Sequence, residues 1–307
     1  MTALDEIAVG GSILDDSSER QAPAVSVVMS VFNQGQPLLA AVKSILQQTW
    51  QDWELLLIDD GSTDGAIDAI AEVFDSRVRV IRDGVNRGLA VRLNQGIAMA
   101  RGRYIARMDS DDISYPERLQ RQLEYLEANP QIDLLGTRAI AISDDNQLWG
   151  GLPFAETHQQ ICVAPWRGFY LPHPTWMGKT TWFRQHQYAI PAPYLCEDQE
   201  LLLRAHEEGL YHALPDTLFA YRVRRKNAWR KSVRTRLAMF RVQRDYFTER
   251  REFGALMGSL VCLLARLVVD SGNYLLSSMG MDCFPRQASV RVSQEEADKL
   301  RVVLQSI

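Results

Sequence analysis

The patterned part of the chain opens on an unbroken apolar, β-branched run, VSVVMSV from Val25 to Val31. Such runs mark strands buried on both faces of a parallel sheet, and a helix is predicted to follow to about Gln48. WELLLIDD forms a second buried strand stopping at Asp59 and Asp60, GSTDG a turn and helix cap, and AIDAIAEVF a helix. The alternation continues with RVRVIR as strand, GLAVRLNQGIAMA as helix, and RYIARM as a strand ending on Asp109-Ser110-Asp111-Asp112. Beyond Pro116 a helix (ERLQRQLEYLEAN) and more sheet (LLGTRAIAI) are predicted, and another helix opens at Glu197-Asp198. Residues 149 to 193 are aromatic and proline-rich without a period, which predicts a substrate-covering region built largely from loops.

Strands alternating with helices imply an α/β fold, a Rossmann-like and mostly parallel sheet flanked by helices that binds ligands at the carboxyl ends of its strands. The two acidic clusters fall there and are expected to converge at one rim. Each also has a plainer reading. DSDD at 109–112 is either a chelating pair for a hard cation holding a diphosphate or a solvated turn that caps a helix. Asp59, Asp60, Ser62 and Asp64 equally describe a strand end followed by a capped helix.

Composition adds little beyond exclusions. A 307-residue chain that is 46% hydrophobic and 23% charged is an ordinary globular protein. Its four cysteines lie far apart with no CxxC pair, so neither a zinc site nor a disulfide framework is expected, and a reducing compartment fits. Residues 1–22 lack a basic segment followed by an apolar run and are read as a flexible leader. MGKTT at 177–181 lacks the first glycine of a phosphate loop, which would fall at His173, and no GxGxxG follows a strand.

VSVVMSVFN, QTWQDWELLLIDDGSTD, NRGLAVRLNQGIAMARGRYIARMDSDD, HPT at 173–175 and CEDQELLLR at 196–204, together and in this order, resemble the family 2 glycosyltransferases of the GT-A fold. The resemblance covers about residues 25 to 225. It implies a GT-A domain over 23–225, with a nucleotide-binding half (23–115) and an acceptor half (116–225), followed by a basic, amphipathic helical extension over 226–307. It further implies that Ser30, Phe32, Asn33 and Asp60 surround the base and ribose, and that Asn86, Arg87, Gly88 and Asn94 form the central motif, with Arg87 near the diphosphate. Asp109, Ser110 and Asp111 match the DxD motif, with Asp109 and Asp111 holding Mn²⁺ or Mg²⁺. Asp198 matches the catalytic base; Glu197 and His173 are candidates for the acceptor side. Relatives carry a histidine after Tyr-Arg-x, where this chain has Arg224 after Tyr221-Arg222-Val223, and Arg224 is a candidate diphosphate contact.

The resemblance thus implies an inverting glycosyltransferase using a nucleoside-diphosphate sugar, most often UDP-linked, and a glycan or lipid-linked acceptor, as in cell-surface polysaccharide biosynthesis. A sugar nucleotidyltransferase and a non-catalytic nucleotide-sugar-binding protein are the competing classes. Between Arg222 and Arg251 stand 12 Arg or Lys against Asp245 and Glu249, and an apolar segment interrupted by Arg266 and Asp270 follows. Only about a dozen uncharged residues precede Arg266, too few to span a bilayer, which takes roughly 20. The expected localisation is cytoplasmic, with this extension lying peripherally on an anionic membrane surface or packed on the domain; no nucleic-acid partner is expected.

Overall fold

The computed structural model describes residues 22–71, 73, 75–223, 229–278 and 290–307 of the chain. Its first half alternates as the apolar pattern predicts: β1 (Val25–Val31), α1 (Pro37–Leu46), β2 (Trp53–Asp59), α2 (Ala66–Ala71), β3 (Val78–Arg82), α3 (Leu89–Met99) and β4 (Tyr104–Asp109). These strands lie parallel in the order β3-β2-β1-β4. Because side chains alternate across a strand, β1 feeds two cores at once. Val27 and Met29 pack with Leu38 and Val42 of α1, whereas Val28 packs with Leu93 and Ile97 of α3. Gly96 lets α3 approach the sheet, since a Cβ there would lie 2.4 Å from Val28 Cγ1 and 2.8 Å from Ile58 Cδ1.

The second half comprises β5 (Ile113–Ser114), α4 (Arg118–Ala128), β6 (Leu134–Ile142), β7 (Leu148–Gly151), α5 (His158–Ile161), β8 (Met177–Lys179), α6 (Thr180–Gln185), α7 (Glu197–Ala205) and β9 (Tyr211–Arg222). The sheet continues past β4 as β8-β6-β9-β5, with β7 on β6. The region 149–193 is therefore more ordered than its irregular sequence predicts. β8, three residues long, lies antiparallel to both β4 and β6 in mid-sheet and joins the two halves. Three residues carry no readable period, so only the pairing partners reveal it. β9 is equally hidden, because Pro215 and Asp216 bulge out between Leu214, opposite Thr137, and Thr217, opposite Arg138.

The C-terminal helices pack on both halves. α8 (Trp229–Glu249) and α9 (Phe253–Ser278) form a hairpin. Phe247 of α8 is buried in the α3-side core, and Gly258 of α9 sits against Trp166, to whose Cδ1 an added Cβ would come within 2.7 Å. α10 (Gln294–Ser306) returns to the opposite side, where Leu300 and Val303 pack with Tyr115, Ile140 and Ala220. The expectation that the apolar segment is too short to span is corrected: α9 continues unbroken through Arg266 and Asp270, so Phe253–Leu276, with a mean hydropathy of 1.8, is long and apolar enough to cross a membrane by length and composition alone. The leader lies almost entirely, and Arg224 entirely, outside the described residues.

Candidate active site

Parallel register brings the acidic clusters to one rim. Val31 pairs with Asp59, and Ser30 pairs with Asp109, on strands about 4.8 Å apart. Beyond β1 the chain turns through Asn33 in the left-handed region (φ 48°), which asparagine tolerates. The turn is stitched to the 62–64 loop: Asn33 Oδ1 accepts from Thr63 N at 2.8 Å, and Gly35 N donates to Asp64 Oδ2 at 2.7 Å. Asp64 Oδ1 accepts from Ala66 N, so this carboxylate caps α2. Phe32 projects half-exposed at the rim.

Asp60 is buried and already holds several donors. Its Oδ1 accepts from Arg87 N (2.7 Å) and Arg92 Nε (2.9 Å), and its Oδ2 from Gly88 N (3.0 Å). Arg92, only 1% exposed within α3, also grips Asp83 at 2.6 Å, and Asp83 pairs with Arg87 at 3.1 Å. The loop 83–88 is thereby tied to the end of β2, with Asn86 and the Arg87 side chain left exposed along it. Sequence reasoning missed Arg92; a lone arginine on an apolar helix stripe is the signal that would have found it.

Past β4, Asp109 pairs with Arg107 at 2.6 Å, and Ser110 is buried with its hydroxyl 3.5 Å from Gln34 Oε1. Asp112, which sequence reasoning did not single out, is fully buried. Its Oδ1 accepts from Arg222 N at 2.7 Å, and its Oδ2 has no partner among the described residues. Asp109, Asp111 and Asp112 present ligand oxygens within 4.8 Å of one another. Burial, and then the neighbouring Asp109 and Asp111, push the Asp112 carboxyl well above its ordinary range. Three hard oxygen donors with one buried oxygen orphaned are what a divalent cation such as Mn²⁺ or Mg²⁺ fits. Arg222 locks this loop from behind: Nε donates to Asp111 O (2.8 Å), Nη1 to Ser143 O (2.6 Å) and Asp144 O (3.0 Å), and Nη2 to Asn146 Oδ1 (2.7 Å).

A cavity of about 520 Å³ runs from Asp109 and Arg107 to Glu197 and Asp198 at the start of α7. Asp198 is steered by Gln199, whose Nε2 donates to Asp198 Oδ2 at 3.2 Å while its Oε1 accepts from Phe169 N at 2.8 Å. Burial raises the Asp198 carboxyl, and burial together with the adjacent Asp198 pushes Glu197 up to about 7. His173 also lines the cavity. Its Nε2 shares a 2.6 Å hydrogen bond with Tyr188 Oη, and burial and then Arg107 keep the imidazole well below its ordinary range. Tyr188 is held in turn by Asn94, with reciprocal bonds of 2.9 and 3.0 Å to the Tyr188 backbone. One cavity therefore unites Asp109, His173, Glu197 and Asp198, and adds Arg107, Arg167, Arg236 and Arg266, to none of which the sequence assigned a role in the site.

The model of glycosyl transferase family 2 matches residues 26–187. The chain belongs to this family. Among the chain's relatives, EpsE of Bacillus subtilis (strain 168), whose name assigns it provisionally to the glycosyltransferases, is 33% identical over 192 residues, 61% of this chain and 68% of EpsE. WfgD of Escherichia coli, a UDP-Glc:α-D-GlcNAc-diphosphoundecaprenol β-1,3-glucosyltransferase, is 35% identical over 105 residues, 34% of this chain and 42% of WfgD. The chain thus spans about two thirds of the one relative's length and less than half of the other's. The fold matches residues 1–349 of S. aureus TarS in complex with UDP-GlcNAc, with a TM-score of 0.61 and 15% identity, over 92% of this chain and 90% of that one. The family 2 chain is accordingly a glycosyltransferase with a GT-A core.

Proposed function

We propose that this glycosyltransferase inverts the anomeric centre as it moves a sugar from a nucleoside diphosphate, most simply UDP, to a glycan or lipid-linked acceptor of cell-surface polysaccharide synthesis. The observation that carries the reading is the single cavity joining the DxD carboxylate Asp109 to the α7 pair Glu197–Asp198. Inversion needs in-line displacement, hence a base on the face of the sugar opposite the leaving group.

Asp198 is that base in this reading. Gln199 orients the carboxylate, and the raised proton affinity that burial confers suits it to take the acceptor's proton near neutral pH. Neutral His173, fixed through Tyr188, offers the acceptor a hydrogen bond without adding charge. On the donor side, Ser30, Phe32 and Asn33 line the rim for base and ribose. Asp60 braces the 83–88 loop and keeps a lone pair on Oδ2 for a base N–H. Arg87 stands exposed for the diphosphate. Asp109, Asp111 and Asp112 would hold Mn²⁺ or Mg²⁺, and a cation bound there neutralises charge developing on a departing diphosphate. WfgD's named donor and TarS's bound UDP-GlcNAc support a UDP-sugar, and WfgD's named acceptor supports a lipid-linked one. A lipid-linked acceptor agrees with peripheral docking of the α8–α9 hairpin on an anionic membrane, through the basic α8 and the apolar outer face of α9.

A panel of nucleoside-diphosphate sugars with Mn²⁺ or Mg²⁺, scored for hydrolysis and transfer, tests the reading. Asp111→Asn is expected to remove metal-supported turnover. Asp198→Asn is expected to keep donor affinity while lowering transfer by roughly 10²–10⁴-fold. Full activity in chelator, or turnover of nucleoside triphosphates instead, refutes it. Sedimentation with anionic and neutral vesicles at low and high salt tests the docking; protein that stays in the supernatant throughout excludes it.

A further inference from the structure

Across the cavity from Glu197 and Asp198 of α7, three arginines from outside the sheet line the wall, and nothing in the transfer chemistry above uses them. Arg167, at the end of a short helical turn (Pro165–Arg167), Arg236 of α8 and Arg266 of α9 all line the cavity that contains Asp198. Arg236 is paired with Asp270 at 3.1 Å. Among the described residues, neither Arg167 nor Arg266 forms an ion pair, and Arg266 Nη2 donates to Arg167 O at 2.5 Å. Burial, and then the nearby Arg236, lower the proton affinity of Arg266, partly offset by Asp270. Two neighbouring guanidiniums and a third, with one carboxylate between them, favour an anion. Arginine forks match phosphate oxygens in particular.

The helix that carries Arg266 indicates where such an anion comes from. Phe253, Met257, Val261, Leu264 and Val268 form one uninterrupted apolar stripe along α9, and all are more than half exposed. At 3.6 residues per turn Arg266 lies roughly 180° around the helix from the centre of that stripe. An amphipathic helix resting in a bilayer interface buries its apolar face about 5–10 Å, and the helix itself is about 10 Å across. Its opposite face then stands at the level of lipid phosphates. The basic character of α8 complements an anionic surface at the same level.

We propose that Arg167, Arg236 and Arg266 form a phosphate subsite for the acceptor, which holds the phosphate of a polyprenyl-type lipid carrier while α9 lies on the membrane. This deepens the proposed function and rests on its placing of the acceptor in the cavity beside Asp198. The carrier phosphate anchors the acceptor's reducing end, and the sugar hydroxyl extends inward to the base.

The full-length protein, kept in EDTA so that no metal site competes for diphosphate, would be titrated calorimetrically with farnesyl diphosphate, farnesol and inorganic pyrophosphate. Farnesyl diphosphate is expected to bind, with farnesol at least 10-fold weaker. Arg167→Gln and Arg266→Gln are each expected to weaken farnesyl diphosphate by roughly 10-fold, the loss of one charge-assisted contact. Arg167 is exposed, so its variant keeps the test valid if Arg266→Gln perturbs the hairpin. UDP binding with Mn²⁺, measured separately, is expected to stay unchanged in the Arg167 variant. Farnesol binding as tightly as farnesyl diphosphate, or an Arg167 variant that binds like the parent, overturns the subsite. Pyrophosphate binding as tightly as farnesyl diphosphate overturns the lipid source. A protein that binds farnesyl diphosphate through these arginines but no UDP supports the subsite and refutes the proposed function instead.

Discussion

Arg222→Met tests whether the acidic loop is a rigid, held structure. The side chain is 6% exposed, and its guanidinium makes four hydrogen bonds, to Asp111 O, Ser143 O, Asp144 O and Asn146 Oδ1. Methionine conserves much of the apolar stem and removes all four. Asp144 and Asn146 are exposed and regain water, so those losses cost little. Ser143 is buried, but its carbonyl still accepts from Asn146 N at 3.1 Å, so losing the guanidinium there costs about 0.5–1.5 kcal/mol. The lost bonds to Asp111 and the exposed acceptors add about 0.5–1.5 kcal/mol between them. The expected destabilisation is therefore about 1–3 kcal/mol, read as a lower urea midpoint at unchanged m. In the proposed metal site Asp111 also loses its tether, and support groups behind metal ligands typically matter 10–100-fold, so under the proposed function Mn²⁺-supported UDP binding is expected to weaken by roughly 10-fold or more. A midpoint shift worth less than about 1 kcal/mol together with an unchanged Mn²⁺ titration would show that Arg222 does not position the loop.

Two further substitutions probe the base and the fold beneath it. Because burial and Asp198 raise the Glu197 carboxyl to about 7, and burial raises Asp198, activity requiring an ionised base falls on the acid side well above the ordinary range of about 4. The charge on Asp198 raises Glu197, so Glu197 still holds its proton where Asp198 ionises, and Glu197→Gln is expected to leave the acid limb of kcat/KM in place; a limb that moves by about a unit or more argues that Glu197 is itself the base. Gly96→Ala forces a methyl to within 2.4 Å of Val28 Cγ1 and 2.8 Å of Ile58 Cδ1, and a cost of about 1–3 kcal/mol in urea unfolding is expected. Unchanged stability would mean that α3 can lift from the sheet freely.

Local pattern made the nucleotide-side architecture legible. Val25–Val31 and Trp53–Asp59 are apolar throughout because both faces of a parallel strand are buried, so their type, their ends and the rim where Asp59, Asp60 and Asp109 meet all followed from the chain itself. The start of α7 at Glu197 was equally visible, since acidic residues in a first turn complement the helix dipole. Other features depend on partners far away in sequence. β8 exists because β4 and β6 flank it, and its three residues hold no period of their own. Arg92 is tolerable inside α3 only because Asp60, 32 positions earlier, and Asp83 converge on it. Asp112 reads as one more acid in a turn until Arg222, 110 residues later, closes over the loop and leaves one oxygen buried without a partner. Arg236 and Arg266, which line the same cavity as Asp198, likewise looked like solvated charge in the sequence. Burial of a charge is decided by what the rest of the chain brings against it, and that is information only the tertiary structure holds.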